Sequence, residues 1–456
     1  MELFGFFLDR GCGRAYSGPC TTKRGYSVKR LLVLSLTVLI VAVGAFASGE
    51  KEGAADEGPI VFGTSQPLTG QFSIPGEKHL AGYELAVQLI NENGGLLGRQ
   101  VELISSDNQS DPDVALNQFE RFVNVEDADF ILGSFSSLIT FPTSSVTEQA
   151  NVIHAIPSGA ALRIYERGFD FIFYFQPNAA EYIGRTPVEM VQDLVPSGQQ
   201  PETAAVVYAD DFFTNSIAAG LLGEEVEITG GETIDLSPSP IEEAGMELVL
   251  EEQWPQGYSD WVNLANTIQS SNADMLFLLA NSPDDGIQLM RALETVGYNP
   301  MGIYSSQGTQ SEFERELGSS VNGLMVHASW HPQANFTGQF LGGDFTNQDF
   351  IDAFQEEYDR MPDEDEAIPF SLVMGLEQAV RATGTTDSQT VRDWLADRTA
   401  QNPVRTILGP FHWDDRGLPV NKPFIMTQWQ DQELEFVYPK GQFPGVVDFI
   451  WPKPEW

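Results

Sequence analysis

Two short loops of small residues carry the best ligand-gripping chemistry in this sequence: Gly133-Ser134-Phe135-Ser136-Ser137 and Pro157-Ser158-Gly159-Ala160-Ala161. The first follows the apolar run Phe130 to Leu132 and precedes a helical stretch containing Pro142. At a helix start, free N–H groups and the hydroxyls of Ser136 and Ser137 suit a carboxylate or carbonyl oxygen. The helix dipole adds about 0.3–1 kcal/mol. Plain capping by a serine accounts for the same residues. Ser158, Gly159 and Ala160 in the second loop let backbone approach a ligand, or simply make room for a tight turn. Phe72, Phe212 and Phe213 each stand just past a strand-like run and are candidates for a pocket wall, although burial in a core is the commoner fate of a Phe.

Other chemistries lack their residues. The Gly-x-Ser-x-Gly, P-loop and dinucleotide glycine patterns are absent, so no enzyme activity and no cofactor are expected. Acid pairs such as Asp210-Asp211 are easy to find in so acidic a chain and carry little weight. Of the five histidines (His79, His154, His327, His331, His412), only His327 and His331 are four apart. Pro332 argues against a helix that would align them on a metal, so no metal site is expected. The chain carries 24 Lys plus Arg against 65 Asp plus Glu, a net charge of -41. Such a surface repels phosphate backbones and anionic membranes, and nucleic acid is excluded as a partner.

The elements that must position the loops alternate. Ile60 to Gly63, Val101 to Ile104, Phe130 to Leu132 and Val152 to Ile156 read as buried strands. Between them lie amphipathic helices, one with Leu80, Tyr83, Val87 and Ile90 on a face, another opened by Asp111-Pro112. After a Pro- and Gly-containing break at Val195 to Pro201 the pattern restarts with strands Ala204 to Tyr208, Met275 to Ala280 and Ile303-Tyr304. Helices are expected around Trp261–Ile268, at Gly286–Val296, and near 349–360, 370–382 and 388–398, then a strand at Phe424 to Trp429. Repeated βαβ units call for parallel sheets, and two series of them for two lobes with a cleft between. In open parallel sheets ligands bind beyond the carboxyl ends of the strands, where both serine loops fall.

At the N-terminus, Lys29-Arg30, the apolar run Leu31 to Val43 and Ala45-Phe46-Ala47 describe a secretory signal, with cleavage expected before Ser48. Residues 1 to 27 precede it, and Val28 is the expected true start. Both cysteines, Cys12 and Cys20, fall in the removed part, so the exported protein has neither a disulfide nor a lipid-bearing Cys. Ser48 to Gly58 reads as a charged tether.

The chain resembles the type I periplasmic solute-binding proteins of ABC importers, the leucine/isoleucine/valine- and amide-binding group. The resemblance rests on Pro67-Leu68-Thr69-Gly70, GYELAVQLINENGGLLGRQVELISSDNQSDP at Gly82 to Pro112, GSFSS at Gly133 to Ser137, Glu166 to Phe169, and ILGPFHWDDRG at Ile407 to Gly417. It implies two Rossmann-like α/β lobes joined by three crossovers near 177, 328 and 414. The first lobe would comprise 59–177 and 328–413, and the second 178–327 and 414–456. It also implies a monomeric periplasmic receptor closing on an amino acid, amide or related carboxylate and delivering it to an inner-membrane permease and ATPase. A ligand-presenting module for a chemoreceptor or sensor kinase shares the fold. Carried over by position, Ser137 and the Ser158-Gly159-Ala160 loop grip the ligand's carboxylate or amide. Phe213 is an aromatic wall from the second lobe, and Asn281 and Ser282 are further contacts. Gln307 falls where amino-acid receptors place a Glu for the ligand ammonium, and Pro75 where many relatives have an aromatic. A neutral Gln cannot neutralise a desolvated charge, so the expectation is a ligand with a neutral polar head or simple carboxylate, unless an acid such as Asp210, Asp211, Asp284 or Asp285 supplies the charge.

Overall fold

A computed structural model describes residues 58–456 of the 456-residue chain. The expected leader, its cleavage point and all of the tether except Gly58 lie outside the described residues. The first sheet holds β1 (Ile60–Gln66), β2 (Val101–Asp107), β3 (Phe130–Leu132), β4 (His154–Ile156) and β5 (Ile172–Tyr174). All neighbours are parallel, in the order β2-β1-β3-β4-β5. Strands β3, β4 and β5 are buried at every position, which is why they read as short unbroken apolar runs. Helices α1 (Ser73–Glu92), α2 (Pro112–Asn124) and α3 (Ser137–Ala150) make the connections. The Asp111 side chain accepts from the Asp113 and Val114 N–H groups and Pro112 takes the first helical position, which starts α2 where the sequence places it.

The second sheet repeats the plan. Strands β6 (Thr203–Ala209), β7 (Glu247–Trp254), β8 (Met275–Leu279), β9 (Gly302–Ser305) and β10 (Leu324–Ala328) are parallel in the order β7-β6-β8-β9-β10. Two antiparallel strands, β11 (Ile425–Gln430) and β12 (Glu433–Tyr438), extend its far edge. Helices α4 (Arg185–Leu194), α5 (Phe212–Leu222), α6 (Trp261–Ser271), α7 (Pro283–Val296) and α8 (Ser311–Leu317) surround it. The alternation had no place for β7, ELVLEEQW, because most of its side chains are solvent-facing at a sheet edge. Its glutamates discourage pairing with another chain there.

Three later helices, α9 (Asn347–Tyr358), α10 (Glu364–Thr383) and α11 (Ser388–Ala396), pack into the core of the first sheet. Phe350, Phe370 and Leu376 share that core with Ile60, Phe62 and Phe130. Helix α10 is buried on nearly every face and lies directly against α1. At their crossing a Cβ on Gly82 would stand 2.3 Å from the Glu366 carbonyl oxygen, so only glycine allows the approach. The apolar run suggests a start at 370, yet α10 begins six residues earlier. Asp363 caps it in a reciprocal box with Glu366, so the charged tetrad Asp363 to Glu366, which reads as loop, is the first turn of a buried helix. Among the described residues, no helix is long and apolar enough to cross a membrane.

Candidate ligand-binding cleft

In the first sheet the order in which strands are added reverses between β1 and β3, and in the second between β6 and β8, which are the points where such sheets hold ligands. A cavity of about 560 Å³, counting its mouth, lies between residues following the strands of both sheets. On the first side the loop after β3 touches the loop after β4 through a bridge between Phe135 and Ser158. Phe135, Ser136, Ser158 and Ala160 line the cavity together with Tyr174 and Gln176. The Ser136 Oγ and the Tyr174 hydroxyl are buried without a hydrogen-bond partner among the described residues, an expensive state unless something occupies the cavity. Ser158 Oγ accepts from Gln176 Nε2 at 3.0 Å and lies 3.3 Å from His79 Nε2. Burial pushes the His79 imidazole down to about 3, so it stays neutral.

Ser137 does a different job from the one its position in the family suggests. Its Oγ accepts from the N–H groups of Ala160 (3.0 Å) and Ala161 (3.2 Å), and the residue is fully buried. It therefore ties the second loop to the start of α3 and does not line the cavity. Gly159 is also behind the wall, where an added Cβ would meet Thr140 at 2.6 Å. Ser137→Ala is expected to destabilise the protein by about 1–3 kcal/mol, because two buried donors lose their acceptor. Urea unfolding of the variant measures this, and an unchanged midpoint would show that the loop holds without it.

The second side brings Phe213 from the start of α5, then Ser306, Gln307, Thr309 and Gln310 after β9, and His327 from β10. Asn281 and Ser282 do not line the cavity. Asn281 hydrogen-bonds the buried Asp211, whose Oδ1 accepts from the Phe213 N–H at 2.9 Å, and Ser282 caps α7. Phe72 is likewise displaced from the expected pocket. It is fully buried in a small cluster with Ala115, Phe135 and Ile139, and its ring meets Phe135 edge-on, so it backs a cavity residue. Phe212 packs on Phe141 and under the Arg163 guanidinium.

The charges in the cleft come from α10, which no sequence pattern singled out. Glu364 and Asp365 both line the cavity. Glu364 accepts from Thr309 Oγ1 at 2.7 Å and from the Ser329 N–H at 2.8 Å, and Asp365 accepts from Gln310 Nε2 at 3.0 Å. Gln310 also reaches the Gln307 Oε1 at 3.4 Å, so the neutral Gln307 stands one side chain from a carboxylate. Burial, then repulsion from Asp365, pushes Glu364 up to about 8; burial, then repulsion from Asp363, pushes Asp365 up to about 7. The acids at 210, 211, 284 and 285 are not among the lining residues. Behind the pair, Lys78 on α1 binds Asp363 (2.6 Å) and Glu312 on α8 (2.9 Å), joining the first core to the second sheet's helices. Burial opposes its charge, yet Asp363 and the neighbouring carboxylates hold the ammonium above its usual range. Among the described residues no group of three His, Cys, Asp or Glu could hold a metal ion.

Comparison with known proteins bears on the fold that holds this cleft. A Leu/Ile/Val-binding protein homolog of Brucella abortus is 25% identical over 409 residues, covering 88% of this chain and 96% of that protein. The leucine binding protein LivK of Thermotoga maritima superposes with a TM-score of 0.67 at 17% identity, over 83% of this chain and 98% of that one. The branched-chain amino acid transporter substrate binding protein LivJ of Streptococcus pneumoniae, solved with isoleucine, gives 0.68 at 17% identity, over 86% and 100%. With its two α/β sheets facing one cleft, and a match to the periplasmic binding protein model across residues 59–433, the chain belongs to the periplasmic binding protein family.

Proposed function

We propose that this protein is the receptor of an ABC importer for a zwitterionic amino acid with an apolar side chain, which it closes upon and hands to the permease and ATPase. The observation that carries the reading is the polarity of the cleft. The unpartnered hydroxyls of Ser136 and Tyr174 and the carboxyls of Glu364 and Asp365 line one cavity with the apolar side chains of Phe135, Ile183, Phe213 and Ile368. Hydroxyl donors suit the ligand's carboxylate, and the acid pair suits its ammonium. The neutral Gln307 favours an uncharged head only if no other acid is present, and α10 supplies two. The leucine- and isoleucine-type ligands named for the relatives fit the same polarity. Crossovers near 177, 328 and 414 would serve as the hinge.

Calorimetry with leucine, leucinamide and isocaproate tests the ligand class. Leucine is expected to bind most tightly, because each analogue leaves one set of buried polar groups unpaired. Equal affinity for isocaproate would overturn the ammonium assignment. Glu364 and Asp365 lie near about 8 and about 7 when the cleft is empty, so an ammonium binds best after their protons leave. Leucine affinity is therefore expected to rise with pH through that window, with net proton release on binding in buffers of different ionisation enthalpy. Affinity that falls as pH rises there would exclude carboxylate recognition of the ligand.

A further inference from the structure

A second cavity, of about 990 Å³ counting its mouth, shares no lining residue with the ligand cleft but adjoins it at Ser329, which hydrogen-bonds Glu364 and Gln176. Pro177 and Ser329 border it, and most of the rest comes from the stretch 408–425 and from Pro439 to Phe443. Its walls are largely apolar, with Phe336, Leu408, Ile425 and Phe443 among them. None of its lining residues is Asp or Glu, in a chain that carries 65 of them, and one is a lysine. Lys422 is only partly exposed, its Nζ donates to the Leu408 carbonyl, and it lies 4.2 Å from the Phe411 ring centroid and 5.6 Å from that of Phe336.

We propose that this cavity is a second ligand site, distinct from the cleft, for a small amphiphilic carboxylate whose apolar body lies against Phe336 and Phe443 and whose head pairs with Lys422. An ammonium has three donors, and one carbonyl and two ring faces leave it without a counter-anion among the described residues. The apolar surroundings push Lys422 down to about 7 with no charged neighbour among the described residues to offset them, and a bound carboxylate would restore the charge. An apolar cavity with one convergent charge is the ordinary construction of a small-molecule site. The chemistry fits a medium-chain fatty acid or an arylalkanoic acid equally, since both present one carboxylate on an apolar stem. A neutral or cationic amphiphile lacks the pairing.

Titration of the full-length exported protein with decanoate and with phenylbutyrate, followed by calorimetry, tests the site and separates the two sources. Binding of at least one is expected, with decanol much weaker. Lys422→Met keeps the apolar stem and is expected to weaken the carboxylate by about ten- to hundredfold, the worth of a charge-assisted hydrogen bond, while leaving leucine affinity as it was. Phe443→Ala, which removes the ring packed edge-on against Phe336, is expected to weaken the same probe without touching the cleft, and stands in if the lysine variant melts early. No binding by either acid, unchanged affinity in the variant that folds, or competition between the acid and leucine would overturn the proposal. Loss of leucine binding in otherwise well-folded wild-type protein would instead count against the cleft assignment, which this site does not depend on.

Discussion

Glu364→Gln is expected to weaken amino-acid binding by about 2–5 kcal/mol, the usual cost of truncating one member of a buried charge pair. The side chain faces the cavity from the first turn of α10, held by Thr309 and the Ser329 N–H, so a ligand ammonium beside it exchanges water for a fixed acceptor. The same substitution is expected to stabilise the empty protein under alkaline conditions. Burial and Asp365 raise the Glu364 carboxyl to about 8, so between the ordinary carboxylate range and that value the folded state holds a proton that the unfolded state has lost. Its contribution is therefore full below the unfolded value and is lost as pH rises through about 8. Glutamine cannot ionise and escapes that loss. Urea unfolding at about pH 9 should show the variant more stable than the wild type, and at about pH 5 little different. A variant that binds leucine normally would remove Glu364 from the site. One that binds poorly and is also destabilised at both values would mean that the residue is chiefly structural.

Lys78→Met should cost about 3–5 kcal/mol of stability, because the aliphatic stem remains while Asp363 and Glu312 lose the ammonium that pairs them. Lys78 Nζ sits 2.6 Å from Asp363 and 2.9 Å from Glu312, and its side chain is only 10% exposed. The pH dependence has a definite sign. Burial by itself would raise Asp363, but Lys78 holds it below its usual range, so this contribution is present above the ordinary carboxylate pKa and is lost as pH falls through the depressed one. Lys78, whose own value is raised, keeps its contribution until well into the alkaline range. The deficit of the variant should therefore shrink in acid, where the orphaned carboxylates take up protons. A deficit that stays constant down to about pH 3 would point to lost packing as its cause. Glu312 belongs to α8 and Asp363 to the cap of α10, so the variant should also hold its two sides together less tightly. Small-angle scattering of the ligand-free protein would register that as a larger radius of gyration.

Period and punctuation in the sequence were enough to determine the alternation of buried strands and amphipathic helices. Short apolar runs such as Phe130 to Leu132 can be satisfied only with both faces covered, and Asp111-Pro112 starts a helix by local hydrogen bonding whatever surrounds it. The two serine loops were legible for the same reason, since parallel strands place the loops that follow them at one edge. The role of each residue within a loop was not. Ser136 and Ser137 are adjacent and chemically identical, yet one hydroxyl faces the cavity unpartnered and the other is spent on two backbone donors, a choice made by the path of the chain at 160–161. Phe72 and Phe213 both follow strands, and only packing separates the core ring from the wall. The acid pair was hidden most completely. Asp363 to Glu366 is indistinguishable in sequence from the solvated acidic runs that fill this chain, and becomes a buried charge site only because Gly82 lets α10 press against α1. Burial is a property of what a segment meets in three dimensions, and a sequence records the segment without its neighbour.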